Sequence, residues 1–195
     1  NINPRSKSSI KIIDSSSPSF EEQEYINTKA LGTITAAINT LKDLCAENLK
    51  DTIKDGAIAI IVEQMPIELN DNITYVQVVS SYNALGVIAA NFYNNPSERI
   101  KLVGVTGTNG KTTIVSLLYQ LFILLNNKVG MLSTIENKIL EKVIASTHTT
   151  PDPLQINYLL NQMIEKGCEY CFMEVSSHAL VQGRVNGLSF YGGVF

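Results

Sequence analysis

The chain has 195 residues, 45% of them hydrophobic and 17% charged, with a formal net charge of −3 and a pI near 5.4. That apolar content is enough for one or two packed cores. No Lys/Arg cluster is longer than two residues, so nucleic acid and anionic membrane surfaces are set aside as partners.

Residues 1–20 are Ser-rich and without a clear period, which predicts a loop or an edge segment. Over 29–49 the apolar residues Leu31, Ile34, Ile38, Leu41, Leu44 and Cys45 recur at helical spacing. The run 57–62 after Asp55-Gly56 predicts a buried strand of parallel-sheet type, and 73–79 a second strand. A helix is expected over 84–92, ended by Asn94-Asn95-Pro96. The segment 94–97 reads as a linker, which divides the chain into domains 1–95 and 96–195.

The second half alternates strand and helix. Strands are expected over 100–105, 129–133 and 169–175, and helices over 112–125, over 153–166 (closed by Gly167) and from Ser177. A further strand over 139–145 is expected to pair across a turn at Glu136-Asn137, and 188–195 to form a last strand. The expected fold is α/β: a small N-terminal α/β domain, then a doubly wound, mostly parallel sheet with helices on both faces. The final run stops with no turn or cap after it, so the chain is expected to be truncated inside that second domain.

The longest apolar run lies within 114–125, is broken by Ser116 and Gln120, and is too short for a bilayer. The polar start, 1–9, carries no signal pattern, so a cytoplasmic protein is expected. Cys168 and Cys171 form a C-x-x-C with no second Cys/His pair nearby, and are read as buried apolar residues rather than zinc ligands.

Between a strand and a helix stands Thr106-Gly107-Thr108-Asn109-Gly110-Lys111-Thr112-Thr113. This is the setting of a phosphate loop. Gly107 and Gly110 let the backbone bend and turn its N–H groups inward. The helix start adds its positive end. Lys111 is placed for the β- and γ-phosphates of ATP, and the Thr112 hydroxyl for Mg2+. The general pattern needs a glycine six residues before the lysine, and Val105 stands there instead.

The octamer resembles the nucleotide loop of the Mur ligases, T-G-T-N-G-K-[TS], which lacks the early glycine too. Three more segments are similar to the group that adds the third peptide residue, the MurE type. They are Thr149-Thr150-Pro151-Asp152-Pro153, the run Glu174-Val175-Ser176-Ser177-His178-Ala179-Leu180, and Val181-Gln182-Gly183-Arg184-Val185. Four motifs in order over 98–195 carry the resemblance. Towards the N-terminus it thins. Asp14-Ser15 matches the start of the family's D-S-R, with Ser16 in place of the arginine.

The resemblance implies an ATP-dependent amide ligase that adds diaminopimelate or lysine to UDP-MurNAc-L-Ala-D-Glu in peptidoglycan precursor synthesis. The substrate carboxylate attacks the γ-phosphate of ATP, and an amine then displaces phosphate from the acyl phosphate. It further implies Thr149, Thr150, Ser176, Gln182, Arg184 and Ser15 as substrate-binding residues. Lys111 and Glu174 become catalytic, and Thr112 and Glu174 bind Mg2+. The amino-acid site belongs to a C-terminal domain beyond Phe195, so residues 1–195 alone are expected to be inactive; a monomer is expected.

Read from the residues alone, several roles stay open. Glu174 is a Mg2+ ligand or a charge for the helix at Ser177. Thr150 and Ser176 bind an anion or serve as N-caps. Arg184 forks onto a carboxylate or phosphate, with Gln182 in the same turn, or both are surface residues. His178 serves chemistry or packing, and His148 is read as a loop residue. The competing functions are another P-loop ATPase and a non-catalytic nucleotide-binding module.

Overall fold

The computed structural model describes Ile53 and residues 57–195 apart from Thr147. The expected helix over 29–49, Cys45 and Ser15 lie outside the described residues. Strands β1 (Ala59–Val62) and β2 (Thr74–Gln77) form a parallel pair. Helix α1 (Ser81–Phe92) follows. It begins three residues before the expected start because Ser80 caps it, accepting from the Asn83 N–H. A single turn, α2 (Pro96–Arg99), occupies the segment read as a linker; Pro96 sits at its first turn, where its missing N–H costs nothing.

A six-stranded sheet follows. Its strands are β3 (Lys101–Val105), β4 (Val129–Leu132), β5 (Glu136–Ile139), β6 (Lys142–Ala145), β7 (Tyr170–Glu174) and β8 (Gly192–Val194). The spatial order is β6-β5-β4-β7-β3-β8. The strands β4, β7, β3 and β8 run parallel, and β5 and β6 add an antiparallel hairpin at one edge. The buried centre explains the unbroken apolar runs of β4 and β7.

Helices cover both faces. From α3 (Lys111–Leu124), Val115 and Tyr119 pack with Val105, Val129, Met131 and Phe172. From α4 (Pro153–Glu165), Ile156, Leu159, Leu160 and Met163 pack with Leu102, Leu132, Cys171 and Met173. Alternation along β7 thus assigns Cys171 and Met173 to α4, and Phe172 to α3. Gly130 is required by α4: a Cβ there would lie 2.2 Å from the Met163 sulfur. Gly167, at φ +76°, ends α4 as expected.

Two expectations are corrected. The single strand over 139–145 is in fact two, β5 and β6. Glu136 and Asn137 lie inside β5, and the turn falls at Leu140-Glu141. Leu140 takes φ +53°, a conformation no sequence signal announces for leucine; the Tyr119 hydroxyl donates to its carbonyl at 2.6 Å. The last strand is also shorter than 188–195. Leu188 belongs to a turn, closed by its N–H on the Val185 carbonyl, and only Gly192–Val194 pairs with β3.

Helix α1 lies against α4 through Leu85, Ala89 and Leu154. It also meets the turn after the short helix α5 (Ser177–Val181): a Cβ on Gly86 would lie 2.3 Å from the Asn186 carbonyl oxygen.

Candidate functional site

The chain leaves β3 through α3 and passes β7 to reach β4. It leaves β7 through α5 and passes β3 to reach β8. Adjacent strands whose connections diverge open a crevice beyond their carboxyl ends. The loop 106–110 and the residues after Glu174 meet there.

The phosphate-loop reading fits this geometry. Gly107 has φ +139° and Gly110 φ +82°, conformations that L side chains rarely adopt. Gly110 is the N-cap of α3 and brings no side chain, so no side-chain oxygen caps the first N–H groups of the helix. The Lys111 ammonium donates to the Gly107 carbonyl at 2.9 Å, folding back over the loop. Thr106 anchors the loop to the sheet, its N–H donating to the Val194 carbonyl at 2.9 Å.

A cleft of about 600 Å3 opens over the loop. It is lined by residues 106–112 together with Thr134, Thr149, Glu174, Ser176, Ser177, His178 and Phe195. Thr113 is exposed on α3, outside the lining. Thr150, Gln182 and Arg184 also lie outside it and form a support behind.

Glu174 is 1% exposed and stands opposite Val105 in the β3–β7 register. Its place in the alternation of β7 is the one shared with Tyr170 and Phe172, on the face that α3 covers. One carboxylate oxygen accepts the Thr134 N–H at 2.8 Å and the other the Thr134 hydroxyl at 3.1 Å. No cationic side chain among the described residues pairs with it. A buried carboxylate held by neutral donors is a setting that an added cation would stabilise. The side-chain cap of α5 is not Glu174. That cap is Ser176, whose Oγ accepts the Ala179 N–H at 3.1 Å.

Thr150 caps nothing at α4, where Asp152 accepts from the Leu154 and Gln155 N–H groups. Instead its buried hydroxyl donates to the Glu174 carbonyl at 2.9 Å and accepts the Ser176 N–H at 3.0 Å. Its own carbonyl accepts from Arg184 at 2.7 Å, and the Arg184 Nε donates to the Gln182 side chain at 2.8 Å. The 149–150 segment, the end of β7 and the Gln182–Arg184 turn are thus one hydrogen-bonded unit. His178 lines the cleft, while His148 is exposed beside it. Thr134 was missed from sequence. Its signal, a hydroxyl just past the apolar strand 129–132, is one that ordinary turns share.

Cys168 and Cys171 are free and buried, and burial pushes both thiols up, as the apolar reading expects. Among the described residues no cluster of three or more His, Cys, Asp or Glu could hold a metal. None of their helices is long and apolar enough to cross a membrane.

In chemical terms, the cleft offers backbone N–H groups, one ammonium, several hydroxyls and one carboxylate. That set suits a polyanion held with a hard divalent cation.

Residues 105–195 match the Mur ligase middle domain. The chain is 56% identical over 148 residues to UDP-N-acetylmuramoyl-L-alanyl-D-glutamate--2,6-diaminopimelate ligase of Cytophaga hutchinsonii, covering 75% of this chain and 30% of that protein. It is 52% identical over 143 residues to the protein of that name from Bacteroides fragilis, covering 73% and 30%. A solved structure of a ligase with the same name superposes with a TM-score of 0.60 at 27% identity, covering 74% of this chain and 29% of that one. The chain spans about 30% of the length of the curated relatives it matches. On these matches and on its phosphate loop, the chain belongs to the Mur ligase family, its residues 105–195 matching that family's middle domain.

Proposed function

We propose that this chain is the ATP-binding part of a ligase that joins diaminopimelate to UDP-MurNAc-L-Ala-D-Glu during cytoplasmic peptidoglycan precursor synthesis. The observation that carries the reading is one cleft that unites a phosphate loop, a buried carboxylate and the Thr149 end of a hydroxyl-bearing segment. The choice of diaminopimelate over lysine rests on the names of the relatives at 56% and 52% identity. Residues 1–95 would then be the substrate domain and 96–195 the ATP-binding domain.

In this reading the loop 106–113 binds the ATP phosphates through backbone N–H groups and the positive end of α3. Lys111 leaves the Gly107 carbonyl for the β- and γ-phosphates, so that the precursor carboxylate meets less repulsion. Thr112 and Glu174 would hold Mg2+, which when bound would neutralise phosphate charge. Their oxygen-only set, with Glu174 buried and without a cationic partner among the described residues, fits that ion. Thr149 and Ser176 present hydroxyls to the precursor's anionic end. Arg184 and Gln182 hold that segment through Thr150, and Ser15 belongs to the substrate domain.

The test is Lys111→Ala in the complete protein. Nucleotide affinity should fall, and ligation should drop by about two to three orders of magnitude, the scale of one lost electrostatic stabiliser. Near-normal product formation would contradict the reading. ATP turnover that ignores the precursor would favour a plain ATPase.

A further inference from the structure

Glu174 offers two carboxylate oxygens, and each carries one hydrogen bond from the same residue. The Thr134 N–H takes Oε1 and the Thr134 hydroxyl takes Oε2. Two contacts from one residue fix the rotation of the carboxylate plane as well as its place. The gripping residue is itself held. Thr134 follows Leu132, which pairs with Met173 in the β4–β7 register, so two neighbouring strands deliver Thr134 and Glu174 side by side. Ser133 braces the turn: its hydroxyl donates to the Glu136 carbonyl at 2.7 Å, and its N–H to the Asn137 side chain at 3.3 Å. Its carbonyl accepts the Ser146 hydroxyl at 2.7 Å. Thr134 also lines the cleft beside Thr112 and Glu174.

We propose that Thr134 is the positioning residue of the Glu174 carboxylate, setting which of its lone pairs face the cleft and hence its affinity for a divalent cation bound with nucleotide. This deepens the reading above and rests on Glu174 being the cation's carboxylate. A carboxylate gripped at both oxygens reaches the cation without losing rotational freedom at that moment, the advantage of a preorganised ligand. Thr134→Val keeps the branched shape and the N–H contact but removes the hydroxyl contact. Thr134→Ser keeps both.

The experiment is a titration of the complete protein with Mn2+ in the presence of a non-hydrolysable ATP analogue, read by calorimetry and by the Mn2+ electron paramagnetic signal. Thr134→Val should weaken Mn2+ binding about tenfold, the scale of one hydrogen bond to a charged group. Thr134→Ser should stay within about twofold of the wild type, since it retains that bond. Analogue binding in excess chelator should be unchanged in both. If Thr134→Val does not fold, Thr134→Ala carries the same reading. Wild-type Mn2+ affinity in Thr134→Val, beside a clear loss in Glu174→Gln, overturns the role of Thr134 alone. Unchanged affinity in both overturns it together with the metal role of Glu174. The ligase reading would fail separately, on the absence of product.

Discussion

Thr150→Val separates a structural hydroxyl from an ornamental one. Valine keeps the branched shape, so no cavity opens. What is lost is a hydroxyl 1% exposed as a residue, donating at 2.9 Å to the Glu174 carbonyl and accepting the Ser176 N–H at 3.0 Å. Both backbone groups lose their side-chain partner. A buried group left unpaired costs about 1–3 kcal/mol, and the Ser176 side is partly exposed, so the sum is about 2–4 kcal/mol. For a chain of this size that is a fall in thermal midpoint of about 4–16 °C. Thermal unfolding followed by circular dichroism reads it, and Thr150→Ser should recover most of the loss. A fall below about 1 °C would mean the two contacts carry no net stability, and the hydrogen-bonded unit behind the cleft would lose its physical basis.

Glu174→Gln should keep the fold and lose most of the activity, with partial recovery at high Mg2+; a change of stability alone, with kinetics intact, would remove the carboxylate from the site. Native Cys168 and Cys171 should resist alkylation at pH 8, because burial raises their thiols and leaves little thiolate, and should react quickly in urea. Rapid native labelling, read by mass spectrometry, would contradict their burial.

Much of the site was legible in sequence because its parts follow local rules. Glycines at positive φ, a lysine and a threonine at a helix start, and a strand before them specify a phosphate loop without any distant contact. The place of Glu174 was legible too, since a carboxylate that ends a continuous apolar strand beside that loop stands out in the sequence. What escaped depends on contacts across the sheet. Thr134 matters only because β4 lies beside β7, forty residues away along the chain. The hairpin β5–β6 was misplaced because its turn rests on Leu140 at φ +53°, held by the hydroxyl of Tyr119 from α3. Thr150 looked like a cap because a proline follows it. The cap went to Asp152, which accepts two helix N–H groups, leaving Thr150 free to join β7 to α5.

The central claim is amide formation through an acyl phosphate, and oxygen tracing tests it most directly. The complete protein is given ATP, diaminopimelate and UDP-MurNAc-L-Ala-D-Glu labelled with 18O in the reacting carboxylate. The carboxylate oxygen that attacks the γ-phosphorus stays with phosphorus when the amine displaces phosphate, so the account predicts one 18O in each phosphate released and one amide bond per ADP formed. Unlabelled phosphate, or ADP formed without any amide, would contradict it.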